Sequence, residues 1–255
     1  MTDRHKKQLV AIGLLVALGV PVVLTGWVVA QRIGNLDPVL ICRLAGVSSM
    51  LLLGTSIVLP LLIDAPRDAR LRGFVVVWFA MSAGFNLAWE LPLVVFRSAL
   101  TSLEFSAANL PLGIAWWSYT LSDSIYGGVT PFMVTIEVTW LVANAIAALG
   151  LLALRRGQDT KGFLLCGVAG ALQAYNAGLY VVANGIMDHY SNIATDSLLA
   201  QVLYWGFNLL WTGAAAVGSV VAFRLTLEAR DAHRARAMAS PAVAVAVSAA
   251  RELRA

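Results

Sequence analysis

The chain has 255 residues, 59% of them hydrophobic and only 13% charged, with a mean hydropathy of +0.77. Soluble domains run near 45–50% apolar and about 25% charged. The composition therefore excludes an ordinary soluble globule and a disordered chain, and it predicts an all-α polytopic membrane bundle. The net charge of +4 is concentrated in short segments between apolar runs, a pattern that speaks of membrane orientation and not of nucleic acid.

Six apolar stretches are long enough to cross about 30 Å of hydrocarbon. They are residues 9–30, 39–63, 74–96, 130–154, 162–187 and 198–223. The first is too long for a cleaved signal peptide, and no small-residue cleavage site follows it. Lys and Arg alternate from side to side. Fifteen of the 18 precede the first stretch, follow the sixth, or lie between the second and third or the fourth and fifth. The positive-inside rule then predicts six transmembrane helices with both termini cytoplasmic. Arg43 lies near the outer end of the second stretch and is expected to snorkel to the interface. The external segment 97–129 carries Trp116, Trp117 and Tyr119. These suit an interfacial aromatic belt, with a lid over a cavity as the alternative. The Ala/Val-rich tail at 229–255 is expected to be loosely ordered. Cys42 and Cys166 lie in separate apolar stretches without CxxC or Cys/His spacing, so neither a disulfide nor a zinc site is expected.

Polar residues inside the stretches are the functional signal. Glu90 and Glu137 are the only acids there, and a carboxylate in hydrocarbon costs about 2.5–3.5 kcal/mol on insertion scales. Counting about 1.5 Å per residue from the outer ends of adjacent helices puts both at one depth. Asn86 stands four residues before Glu90, on the same helical face. Polar stripes follow at helical spacing: Glu137 and Asn144; Gln173, Asn176, Tyr180 and Asn184; then Gln201, Tyr204, Asn208 and Trp211. The last four helices are thus expected to surround a polar pocket, with the first two packed outside. Singly, the amides also suit interhelical hydrogen bonding, and Gly167, Gly170 and Gly178 suit close helix packing.

These residues resemble those of the emopamil-binding protein family, the sterol 8,7-isomerases of the EXPERA-domain group. WFAMSAGFNLAWE at 78–90, in the third stretch, is similar to the family's tryptophan-phenylalanine-alanine start and H-x-x-x-E pair, with Glu90 on its glutamate. WWSYTLSDSIY at 116–126 is similar to its Asp-Ser-x-Tyr segment, through Asp123, Ser124 and Tyr126. Glu137 falls on the second catalytic glutamate, QAYNAGLY at 173–180 on Q-x-Y-x-x-x-L-Y, and FNLLW at 207–211 on N-x-x-W. The likeness spans about residues 70–228, which implies two N-terminal helices over 1–69, an EXPERA-like four-helix domain over 70–228 and a cytoplasmic tail. Asn86 stands where the family has its histidine, and Ala177 where better-known members have an aspartate. The family has five spans, so the first helix looks added.

The resemblance implies cofactor-free isomerisation of a sterol double bond, by protonation to a carbocation and loss of a neighbouring proton. Glu90 and Asn86 would occupy the proton-relay position and Glu137 the charge-stabilising one. Trp211 would face the cation, and Asn208, Tyr126, Tyr180, Tyr204, Gln173 and Asp123 would shape the substrate site. The implied partners are a sterol or other polycyclic lipid and the bilayer itself, and a homodimer stays open. The membrane would be the plasma membrane in a bacterium or the endoplasmic reticulum in a eukaryote. A non-catalytic binder of sterols or cationic amphiphiles is the alternative, followed by a small transporter or another membrane enzyme.

Overall fold

The computed structural model describes residues 3–128 and 130–238. These are helical apart from short connections and an isolated antiparallel bridge between Asp123 and Ile193. In order, the helices are α1 (Asp3–Gly34), α2 (Pro38–Leu62), α3 (Arg67–Phe85), a π-helical turn (Asn86–Glu90), α4 (Leu91–Ser102), α5 (Leu110–Thr120), α6 (Ser124–Gly128), α7 (Pro131–Arg155), α8 (Asp159–Asp188) and α9 (Leu198–Met238). Among the described residues, five helical stretches are long and apolar enough to cross a membrane: Pro38–Leu62, Arg67–Ser102, Pro131–Arg155, Asp159–Met187 and Leu198–Met238. The chain is an integral membrane protein of helical architecture.

Local chemistry sets several ends. The Asp37 side chain accepts from the backbone N–H groups of Val39 and Leu40, and Pro38 takes the first helical position of α2. Thr130 caps α7 through Met133 N–H, with Pro131 next. Both arrangements satisfy donors that a helix start leaves free. Between α7 and α8 the chain reverses in three residues, and Gly157 (φ 73°) takes the left-handed conformation the reversal needs. The short turn makes α7 and α8 antiparallel neighbours. Packing of α8 on α9 relies on small residues: a Cβ at Gly170 would sit 2.9 Å from the Ala215 carbonyl oxygen, and Ser219 Oγ donates to the Gly167 carbonyl at 2.8 Å. Gly178 departs from the expected close packing, since a Cβ there would meet nothing within 4 Å.

Four further expectations change. The third apolar stretch is not one α-helix but α3, the π turn and α4, with a second break at Phe96 (φ −106°, ψ 20°). The described part of the external segment, 97–128, is not a surface belt. It folds into the end of α4, α5 and α6, and Trp116 and Trp117 are buried with Ile41, Cys42, Leu93, Leu110 and Met133. Arg43 does not snorkel: it is buried, forms a two-oxygen ion pair with Asp196 at 2.9 and 3.1 Å, and donates to the Leu121 carbonyl. The sixth helix continues past Phe223 to Met238, so residues 229–238 of the expected loose tail are helical; the rest of that tail lies outside the described residues.

Candidate functional site

Where the α5–α6 cap meets the ends of four long helical stretches, the side chains leave a small chamber of about 50 Å³. The π turn contributes Asn86, Trp89 and Glu90, and Phe85 precedes it. Tyr119 and Tyr126 come from the cap, Ile136 and Trp140 from α7, Ala177 and Tyr180 from α8, and Phe207, Asn208 and Trp211 from α9. Neither α1 nor α2 lines it. The space between the side chains is narrow, so a fused-ring guest requires the aromatic rings to part.

The π turn gives Glu90 its place. Pro92 lacks an N–H, and its ring would press on the carbonyl four residues back in a regular helix. The chain widens instead, and Leu91 N–H bonds the Asn86 carbonyl five residues back. Such wide turns recur at functional sites. Leu87 is 65% exposed toward the outside while Asn86 is only 3% exposed.

Glu137 is fully buried. Tyr126 Oη donates to its Oε1 at 2.6 Å, and the carboxyl of Glu90 is its near neighbour. Glu90 Oε2 and Glu137 Oε2 are buried without a hydrogen-bond partner among the described residues. Burial and the nearby Glu137 hold the Tyr126 phenol well above its ordinary range, so it remains a donor.

Aromatic rings surround the pair. Trp211 lies 5.3 Å from Trp78, 5.3 Å from Phe85 and 5.6 Å from Trp140, centroid to centroid. Tyr126 meets Tyr119 edge-on at 4.8 Å and Tyr180 at 5.8 Å. Asn208 Nδ2 donates to Tyr119 Oη at 3.1 Å. Asn86 Oδ1 is buried and has no donor among the described residues.

Of the residues singled out from sequence, Glu90, Asn86, Trp211, Asn208, Tyr126 and Tyr180 line this chamber, and Glu137 touches two of them. Three others are placed elsewhere. Asp123 is buried in a knot, accepting from Tyr180 Oη, Asn192 Nδ2 and Ile125 N–H, which ties the cap to α8 and the α8–α9 connection. Burial raises its pKa, with the Tyr180 and Asn192 donors pulling the other way. Gln173 accepts from Trp78 Nε1 and donates to Ser82 and Asn144, joining α3, α7 and α8. Tyr204 Oη accepts from Asn184. Tyr175, inside the Q-x-Y match, is 67% exposed on the outer surface of α8. Sequence reasoning passed over Phe85, Trp89, Ile136, Trp140 and Phe207. Trp89 and Trp140 adjoin the glutamates at one and three residues, and Pro92 is the cue to the wide turn that turns them inward.

Comparison with protein-family models, with curated proteins and with solved structures finds no match.

Proposed function

We propose that this chain is an intramembrane double-bond isomerase for a sterol or related uncharged fused-ring lipid. The observation that carries the reading is Glu90 on the wall of an aromatic chamber, with the buried Glu137 close behind it and held by Tyr126. Glu90 gives its proton to one alkene carbon, and the positive charge falls on the other. The Glu137 carboxylate, held by Tyr126, and the faces of Trp140 and Trp211 stabilise that cation in a medium of low dielectric. A neighbouring C–H then returns a proton to the carboxyl pair. One proton enters the lipid and one leaves, the double bond moves by one carbon, and the protein ends as it began. The same reading takes α1 as a sixth crossing, with both termini cytoplasmic as the basic segments direct.

The test is incubation of the purified protein with a Δ8-sterol in D₂O, followed by product analysis. A shifted double bond carrying one deuterium is expected. Glu90→Gln should lower the rate by about 10²–10⁴-fold, the range of a general acid, and full activity in that variant contradicts the assignment.

Asn86 favours a second reading, a non-catalytic receptor for lipids or amphiphilic cations, because an amide does not exchange protons near neutral pH. An anionic pair ringed by tryptophans suits an ammonium group. Saturable binding of a cationic amphiphile without turnover, and turnover gained in Asn86→His, would establish it.

A further inference from the structure

A second hollow lies beside α3, between α1, α2, α3 and α5, with a volume of about 590 Å³. That falls within the roughly 300–1,000 Å³ of ordinary ligand pockets. Its described walls are Gly, Ala, Val, Leu, Met and Pro with Phe85 and Trp89, and the Trp89 indole N–H is their one polar side-chain group. Water gains nothing in such a space, whereas an apolar guest does.

Several observations connect this hollow to the carboxylates. Phe85 and Trp89 line both spaces. Their rings stack at 5.3 Å with 17° between planes, so the stack is a shared wall. Ala80, Gly84 and Ala88 follow one another at four-residue intervals along the cleft and are all exposed. They make a smooth strip ending at the stack. A Cβ at Gly13 or Gly84 would meet nothing within 4 Å. Packing therefore does not demand glycine there, although glycine is a poor helix former. Behind the stack lies Asn86, 3% exposed, whose Oδ1 has no donor among the described residues. It is an acceptor placed to meet a hydroxyl group arriving from that side.

We propose that the cleft between α1 and α3 is a lateral vestibule, through which an uncharged fused-ring lipid with a terminal hydroxyl passes from the bilayer to the carboxylates when the Phe85–Trp89 stack parts. A flat small-residue strip and a two-ring platform fit a rigid planar body better than a flexible chain. The ligand class rests on the isomerase reading, but the site does not need turnover to be tested. One whole side of the vestibule comes from α1.

The probe is a photoreactive diazirine analogue of cholesterol, with full-length protein in lipid nanodiscs. Adducts mapped by mass spectrometry should fall on the peptides around Pro21 and on 76–89, and excess cholesterol should displace them. Gly84→Phe and Ala80→Phe each fill the cleft from its open side and should cut this labelling by about fivefold or more, which corresponds to about 1 kcal/mol of lost apolar burial. Leu87→Phe, on the same turn but outside the cleft, should leave it unchanged. Should one cleft variant fail to fold, the other variant and the displacement by cholesterol carry the test. Adducts spread evenly over lipid-facing helices, no displacement by cholesterol, or equal labelling by a straight-chain diazirine lipid overturns the proposal. The two readings separate cleanly. Cleft labelling in a protein that never isomerises a sterol supports the vestibule and contradicts the isomerase. Isomerisation with unchanged KM in Gly84→Phe overturns the vestibule alone.

Discussion

Glu137 shows how one side chain is made tolerable in an apolar bundle. It has no solvent, Tyr126 donates to its Oε1, and Glu90 is the neighbouring carboxyl. A buried acid left without partners costs several kcal/mol, so partners of this kind are what permit it. Asp123, in the cap outside the spanning helices, follows a related logic with a consequence for pH. Burial raises its pKa in the folded protein, so the folded state holds its proton more tightly than the unfolded state. That contribution to stability is complete below the unfolded aspartate value of about 3.9 and is lost as pH rises through the folded value. Thermal unfolding of the detergent-solubilised protein should therefore shift to lower temperature as pH climbs out of the ordinary aspartate range. Asp123→Asn, which imitates the protonated acid, should flatten that slope, and an unchanged slope in the variant would show that another group sets it.

At the level of elements, the π turn at Asn86–Glu90 decides what the third membrane helix presents. Helical periodicity makes the pairing of Asn86 with Glu90 legible in the sequence, because residues four apart share a face in either helix type. It does not reveal the wide turn, which depends on where Pro92 forces the ladder to reorganise. Pro92→Ala removes that constraint. A regular helix can then close over the segment and swing the Glu90 carboxyl away from Glu137. We expect turnover to fall by roughly 10²-fold, the cost of misplacing a reacting group by about 1 Å, while the unfolding temperature holds or rises because an interior proline has been removed. Full turnover would show that the turn does not position Glu90. The cap is a second element the sequence does not make legible. Trp116 and Trp117 carry the composition of an interfacial belt, yet they pack under α2 and α7, and only long-range contacts distinguish the two outcomes.

For the whole molecule, the membrane class and the starts of α2, α7, α8 and α9 are legible, because a continuous apolar run of about 20 residues has few other fates. The aromatic chamber is legible as far as its carboxylates, since acids in such runs are conspicuous. Its aromatic walls are not, because tryptophan and phenylalanine are ordinary in any apolar helix and only the packing selects Trp89, Trp140 and Phe207. Nor is the latch between Arg43 on α2 and Asp196 in the α8–α9 connection, whose partners are 153 residues apart. The account as a whole depends on Glu90 and Glu137 holding one proton between them. Infrared spectra of the purified protein in H₂O and D₂O read that proton directly, through the carbonyl stretch of a protonated carboxyl group. The parent protein should show a deuterium-sensitive component that disappears in both Glu90→Gln and Glu137→Gln and persists in Asp123→Asn. A spectrum without that component, or one in which it survives either glutamate substitution, would contradict the account.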